Sequence, residues 1–175
     1  MAQVYVSIGS NRERKRNIYL CLQALREHFG FLCISTVYRS KAVGFDGDDF
    51  FNLVVGFNTP LAVHQVAASL RNIEAARGRR RNHRAKFSPR PLDLDLLLYD
   101  NLVLDEAGLQ IPREDISRYA FVLRPLAEIA GNRRHPVLNR SFAELWKDFA
   151  QGNEQLCPVA LDVEITGYPK RPACG

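Results

Sequence analysis

In 175 residues this chain carries only four cysteines, four histidines, one tryptophan and one methionine. Cys21, Cys33, Cys157 and Cys174 form no C-x-x-C pair, so reduced, mostly buried thiols are expected rather than a disulfide framework or a zinc site. His28, His64, His83 and His135 are scattered without metal-ligand spacing, which argues against a histidine-held metal. No apolar run approaches the roughly 18 residues of a membrane span. The opening MAQVYVSIGSN lacks the basic-then-apolar order of a signal peptide. Neither a Walker A G-x-x-x-x-G-K-[ST] nor a kinase G-x-G-x-x-G occurs, which excludes the usual phosphate-loop enzymes. With 46% hydrophobic and 25% charged residues, disorder and low-complexity classes are also excluded. A soluble, cytoplasmic protein with one core is the expectation at this length.

Charge is the first positive signal. The net charge is +5, yet residues 77–90 (RGRRRNHRAKFSPR) hold seven of the 24 basic residues and no acid. Without them the chain would be slightly acidic, so the basicity is local and points to one anionic partner at one place. Nucleic acid, lipid headgroups and nucleotide phosphates all fit that charge, as does a plain solvated loop.

Periodicity places the run in a fold. Residues 3–8 alternate as a strand, and Ile18, Leu22, Leu25 and Phe29 recur at helical spacing over 14–29, with Gly30 as terminator. Residues 31–38 and 50–57 predict two further strands around a polar loop at 39–49. Thr59-Pro60 predicts the start of a helix running to about Arg77. Residues 92–99 (LDLDLLLY) predict a fourth strand, followed by an Asp100-Asn101 turn and a short hairpin partner. A helix over 119–130, interrupted or kinked at Pro125, and one capped by Ser141 and Glu144 and running to about Ala150 follow. A last strand is expected at 159–165. The order to residue 99 is the split βαβ pattern: an α+β, ferredoxin-like βαββαβ antiparallel sheet with both helices on one face, plus C-terminal helices and a short extra strand or hairpin. The other face is left for a site or for the C-terminal elements. Residues 1–151 are expected to form the domain and 152–175 a tail that is mobile or packs as an extra strand.

The chemistry concentrates in Pro89-Arg90-Pro91-Leu92-Asp93-Leu94-Asp95-Leu96. Residues two apart in a strand share a face, so Asp93 and Asp95 stand roughly 6–7 Å apart along one side. Paired carboxylates repel unless cations or water lie between them, and oxygen-only ligands at this spacing suit Mg²⁺ bridging to phosphate. An amphipathic strand with a wet acidic face is the plain alternative. The arginine-rich run directly upstream favours the metal, because a Mg²⁺–polyphosphate complex needs both carboxylates and guanidinium groups.

Taken with Gly9-Ser10-Asn11, Val37-Tyr38-Arg39-Ser40, Asp49-Phe50-Phe51-Asn52, Ile73-Glu74, Gly78-Arg79 and Phe121-Val122-Leu123 with Pro125-Leu126-Ala127-Glu128, this segment resembles the 6-hydroxymethyl-7,8-dihydropterin pyrophosphokinase family over about residues 3–150. The resemblance implies transfer of the β,γ-diphosphate of ATP to the pterin's hydroxymethyl group, releasing AMP. It implies two Mg²⁺ ions on Asp93 and Asp95, with Arg79 and Arg90 meeting the phosphates as catalytic groups. Phe50 and Phe121 would sandwich the pterin, Asn52 would bond its polar edge, and Ser40 and Val43 would add contacts there. Glu74, Arg79, Arg81, Phe87, Arg90, Leu96, Arg113 and Tyr119 would serve ATP, Phe87 within a loop that closes as a lid. Each has a structural alternative: core aromatics for Phe50 and Phe121, loop charges for Arg79 and Arg90, a helix-surface acid for Glu74.

Three positions depart from the family pattern. Arg113 stands where a His is usual, Tyr119 where an Arg is usual, and Lys41 where a Pro is usual. The basic loop also looks one residue longer. These departures motivate a rival, a divergent pterin- or nucleotide-binding relative with weak or altered activity. A nucleic-acid module using residues 77–90 is the third possibility, disfavoured by a single aromatic, Phe87, where single-strand binders offer several. The expected partners are therefore ATP and the pterin, with no membrane or nucleic acid, for a monomer.

Overall fold

The computed structural model of the chain describes residues 1–44, 46–76, 91–149 and 156–161. Strand β1 (Ala2–Ser10) leads into helix α1 (Arg14–Phe29), which buries Ile18, Cys21, Leu22 and Leu25. The helix stops where Gly30, at φ 80°, donates its N–H back to Arg26 O at 2.8 Å. That left-handed turn suits a residue without Cβ.

The expected strand over 31–38 is split into β2 (Cys33–Ile34) and β3 (Val37–Ser40). The break falls at Ser35, whose hydroxyl accepts from Val54 N–H at 2.9 Å and whose own N–H donates to Val54 O at 3.0 Å. β4 (Phe50–Thr59) runs two residues past its predicted end, so Thr59 closes a strand instead of capping a helix. α2 (Val63–Ala76) starts three residues later, and the Gln65 side chain reaches back to accept from Ala62 N–H at 2.9 Å. β5 (Asp93–Tyr99) follows. Beyond it come the hairpin β6 (Leu104–Glu106) and β7 (Leu109–Ile111), the short helix α3 (Asp115–Arg118), α4 (Ala120–Ala130), α5 (Phe142–Asp148) and β8 (Cys157–Val159). The hairpin forms its own two-stranded sheet, and α4 runs through Pro125 without interruption. The Ser141–Glu144 capping box is present in both directions. β8 begins two residues before the predicted last strand and pairs antiparallel with β3. Cys21 and Cys157 are free thiols, whereas Cys33 is disulfide-bonded, against the expectation from its sequence context.

The strands order β5-β1-β4-β3-β8, with β2 also on β4, and every pairing is antiparallel. This is the split βαβ arrangement, with β1 and β4 at the centre. Val4, Val6, Ile8, Leu53, Val55, Leu94 and Leu96 pack on α1 and α2. Tyr5, Val54, Leu97 and Leu98 pack the opposite face on Val122, Leu123, Leu126 and Ile129 of α4 and Phe142 of α5. The face left open by the two crossover helices is thus partly covered by the C-terminal ones. The run Leu96-Leu97-Leu98 is explained by a bulge: Val6 pairs with Leu96 but Tyr5 with Leu98. The extra residue turns Leu97 and Leu98 both toward α4 and keeps Asp93 and Asp95 in register beyond them. No helix among the described residues is long and apolar enough to cross a membrane.

Candidate active site

Strand register assembles the site. Gly9 of β1 pairs with Asn52 on one side and Asp93 on the other, and Ser7 pairs with Val54 and Asp95. On β3, Tyr38 pairs with Asn52 and Ser40 with Phe50. Cross-strand partners face the same way, so Ser40, Phe50, Asn52, Asp93 and Asp95 share the α4 face. Two strand spacings, ~10 Å, separate the Asn52 column from the Asp93 column. Between them lies Gly9, whose missing side chain matters: a Cβ there would meet Asn52 Oδ1 at 3.1 Å and Phe50 Cδ1 at 3.8 Å. Gly9→Ala should therefore crowd the Asn52 amide and raise the pterin KM by about 5- to 20-fold with the ATP KM unmoved. Equal changes in both constants in steady-state kinetics would reject that role. The Gly-Ser-Asn segment was visible in the sequence, but nothing there pointed to a close approach across two strands.

Asn52 and Ser40 are both buried, and Asn52 Nδ2 donates to Ser40 Oγ at 2.8 Å. That bond orients the amide and leaves Oδ1 on the Gly9 side. Phe50 is half-buried at the start of β4, and Val43 is exposed in the loop between β3 and β4. Phe121, half-buried in the first turn of α4, stacks on Tyr119 with centroids 5.0 Å apart at 17°. Tyr119 also caps α4, its carbonyl accepting from Val122 and Leu123 N–H at 3.1 and 3.0 Å. Three residues without a sequence-assigned role, Glu128, Thr36 and Tyr38, fix this helix to the sheet. Glu128 accepts from Thr36 Oγ1 at 2.6 Å and from the Tyr38 hydroxyl at 2.9 Å.

The acids lie at the edge of the sheet. Burial first, and then the charge of Asp93, push the Asp95 carboxyl up to about 7, although Arg113 pulls it the other way. Arg113 Nη2 lies 3.2 Å from Asp95 Oδ1, and its Nε donates to Asp115 Oδ2 at 2.9 Å. Arg113 N–H donates to Leu97 O at 3.0 Å, anchoring it beside the strand that carries the acids. Two carboxylates on one strand face are a donor set that fits Mg²⁺, whose remaining ligands are water and phosphate oxygens. No group of three or more His, Cys, Asp or Glu forms a metal cluster among the described residues.

Glu74 is not a surface acid. It is buried, and its Oε1 accepts from Leu94 N–H at 2.7 Å, the peptide between the two aspartates. Glu74→Ala should cost about 1–3 kcal/mol by leaving that buried N–H unsatisfied, and Glu74→Gln less, since an oxygen acceptor remains. Urea denaturation of both variants checks this. Alternation turns the Leu96 side chain into the core against α1 and α2, away from the acids. Tyr119 stands at the head of α4, and Arg118 pairs with Glu114 at 3.0 Å. Arg79, Arg81, Phe87 and Arg90 lie outside the described residues.

Residues 5–131 match the family model described as 7,8-dihydro-6-hydroxymethylpterin-pyrophosphokinase. The 2-amino-4-hydroxy-6-hydroxymethyldihydropteridine pyrophosphokinase of Aquifex aeolicus is 34% identical over 146 residues, 82% of this chain and 90% of that protein. The Haemophilus influenzae protein of the same name is 33% identical over 154 residues, covering 86% and 94%. Among solved structures, the Plasmodium falciparum HPPK-DHPS chain aligns with a TM-score of 0.64 at 13% identity. That alignment takes in 84% of this chain and 43% of the other, a likeness of fold.

Proposed function

The chain belongs to the 7,8-dihydro-6-hydroxymethylpterin-pyrophosphokinase family, and on that premise we propose how its residues divide the work. The enzyme is a transferase of folate biosynthesis that moves the β,γ-diphosphate of ATP to the hydroxymethyl group of 6-hydroxymethyl-7,8-dihydropterin and releases AMP. The observation supporting a site here is the register that sets Asn52 and Asp93 on either side of Gly9.

Phe50 and Phe121 take the faces of the pterin, and Asn52 with Ser40 and the Val43 backbone takes its polar edge. For Phe121 this means exchanging its Tyr119 stack for the pterin or offering its free face. Asp93 and Asp95 hold two Mg²⁺ ions on the triphosphate. When bound, the metal withdraws charge from the phosphates and leaves the β-phosphorus open to attack. The substrate hydroxyl attacks that phosphorus in line, and the bond to the oxygen bridging the α-phosphate breaks. Arg79, Arg90 and Arg113 balance the charge on the phosphates, while Arg81, Phe87 and Tyr119 serve the nucleotide. Glu74 acts there through the Asp93–Asp95 strand, and Leu96 offers the nucleotide its backbone only. Residues 1–151 form the catalytic unit, and in the tail that follows β8 pairs with β3 at the sheet edge. The protein works as a cytoplasmic monomer on small molecules, and no observation favours a nucleic-acid role for residues 77–90.

AMP formation should stop in EDTA and return with excess Mg²⁺; metal-independent turnover would remove the role given to Asp93 and Asp95. The divergent-relative reading rests on Arg113, Tyr119 and Lys41, and ordinary turnover with the standard pterin would dispose of it.

A further inference from the structure

Arg113 is shared between two acids of different standing. One, Asp95, is a metal ligand in the reading above, on which this inference rests; the other, Asp115, opens α3 and has no part in that reading. The guanidinium uses different nitrogens for the two, Nη2 for Asp95 and Nε for Asp115. One contact can therefore be lost while the other stays. The backbone hydrogen bonds from Arg113 N–H to Leu97 O and from Ile116 N–H to Arg113 O, the latter at 3.2 Å, hold the backbone of this corner in place. Movement is then left to the side chain alone. Among the described residues, Arg113 lies in the field of Asp93 as well as of Asp95 and Asp115.

We propose that Asp115 is a positioning residue that retains Arg113 beside the metal acids, so that Arg113 serves as the counter-ion of Asp95 before the metal nucleotide arrives and yields Asp95 to the metal afterwards. Released from Asp95, Arg113 keeps its Nε on Asp115 and turns its two terminal nitrogens, a fork suited to phosphate oxygens, toward the nucleotide. Without Asp115 the arginine is held by Asp95 alone, which sets it in direct competition with the metal. The device belongs to this chain's own arginine at position 113: a permanent cation cannot leave the carboxylate by losing a proton, so a second acid is required to draw it off.

The test is Mn²⁺ binding to the nucleotide-free full-length protein at pH 8, read by electron paramagnetic resonance of free Mn²⁺. Arg113→Met should tighten Mn²⁺ about 3- to 10-fold by removing the competing cation, and Asp115→Asn should weaken it about 3-fold by leaving Arg113 on Asp95. In the Arg113→Met background, Asp115→Asn should have little further effect. Arg113→Lys, which keeps a charge but not the forked pair of contacts, should fall between wild type and Arg113→Met, and serves if the Met variant does not fold. Arg113 variants that leave Mn²⁺ affinity unchanged or weaker overturn the proposal. So does an Asp115→Asn effect that persists undiminished without Arg113, since Asp115 would then act by its field alone. Asp95→Asn separates the two levels: if it does not alter Mn²⁺ binding, the metal assignment itself has failed. If it abolishes binding while the Arg113 variants do not tighten it, only the counter-ion role has.

Discussion

Asp95→Asn is expected to lower the rate of diphosphate transfer by about 10³-fold or more while making the metal-free protein more stable at pH 8. The two effects have one cause. The Asp95 carboxyl is raised to about 7 by burial and by Asp93, so keeping it ionised in the folded chain is unfavourable. The unfolded chain has no such burden, its aspartate titrating near 4. Folding stability therefore falls as pH rises from about 4 to about 7, and the whole penalty is present above 7. Asn mimics the protonated form and removes it. The value near 7 already includes the opposing pull of Arg113, so the expected gain is on the order of a few kcal/mol, or several degrees in Tm. Melting curves in EDTA at pH 5 and pH 8 test this: the variant's advantage should be larger at pH 8. A variant less stable than wild type at both pH values would make the Arg113–Asp95 pair a structural salt bridge. Above pH 7 added Mg²⁺ should stabilise wild type and leave the variant unmoved.

Asn52→Ala is expected to raise the pterin KM by about 30- to 100-fold, with the ATP KM within about 2-fold of wild type. A site built around a buried polar edge loses roughly 2–3 kcal/mol when a matched hydrogen-bonding group is deleted. Asn52 is buried and held by Ser40 at 2.8 Å, so its amide is preorganised and little entropy is lost on binding. Ser40→Ala leaves the amide in place but less well oriented, and a smaller rise of about 3- to 10-fold is expected. Steady-state kinetics with each substrate varied in turn, with pterin fluorescence titration as a direct binding measure, separates the cases. An equal rise in both KM values would place Asn52 in general packing and not at the pterin edge.

Much of the fold could be read along the chain because local patterns coincide with it. The 14–29 helix matches α1 residue for residue, and the Ser141–Glu144 box caps α5 as its spacing implies. Failures lie where distant residues decide. Ser35 breaks a β-rich run because Val54, nineteen positions away, bonds both its hydroxyl and its N–H. Thr59-Pro60 has helix-start chemistry, yet pairing of Thr59 with Ala2 extends β4 to that point. The bulge at Leu97 is invisible in an uninterrupted leucine run. The site divides similarly. Asp93 and Asp95 are marked by alternation together with the arginine run upstream, whereas Gly9 and Glu74 acquire their parts from partners in other elements and Asp115 from Arg113. The family resemblance sets Leu96 with the nucleotide, and alternation turns its side chain into the core.

The most direct test is the nucleotide product released by the purified protein from ATP and Mg²⁺, with and without 6-hydroxymethyl-7,8-dihydropterin. Pterin-dependent AMP, formed one for one with the pterin diphosphate, is the expected result and would show that Arg113 and Tyr119 are working variants. Release of ADP, or no AMP although the pterin binds, would contradict diphosphate transfer at this site.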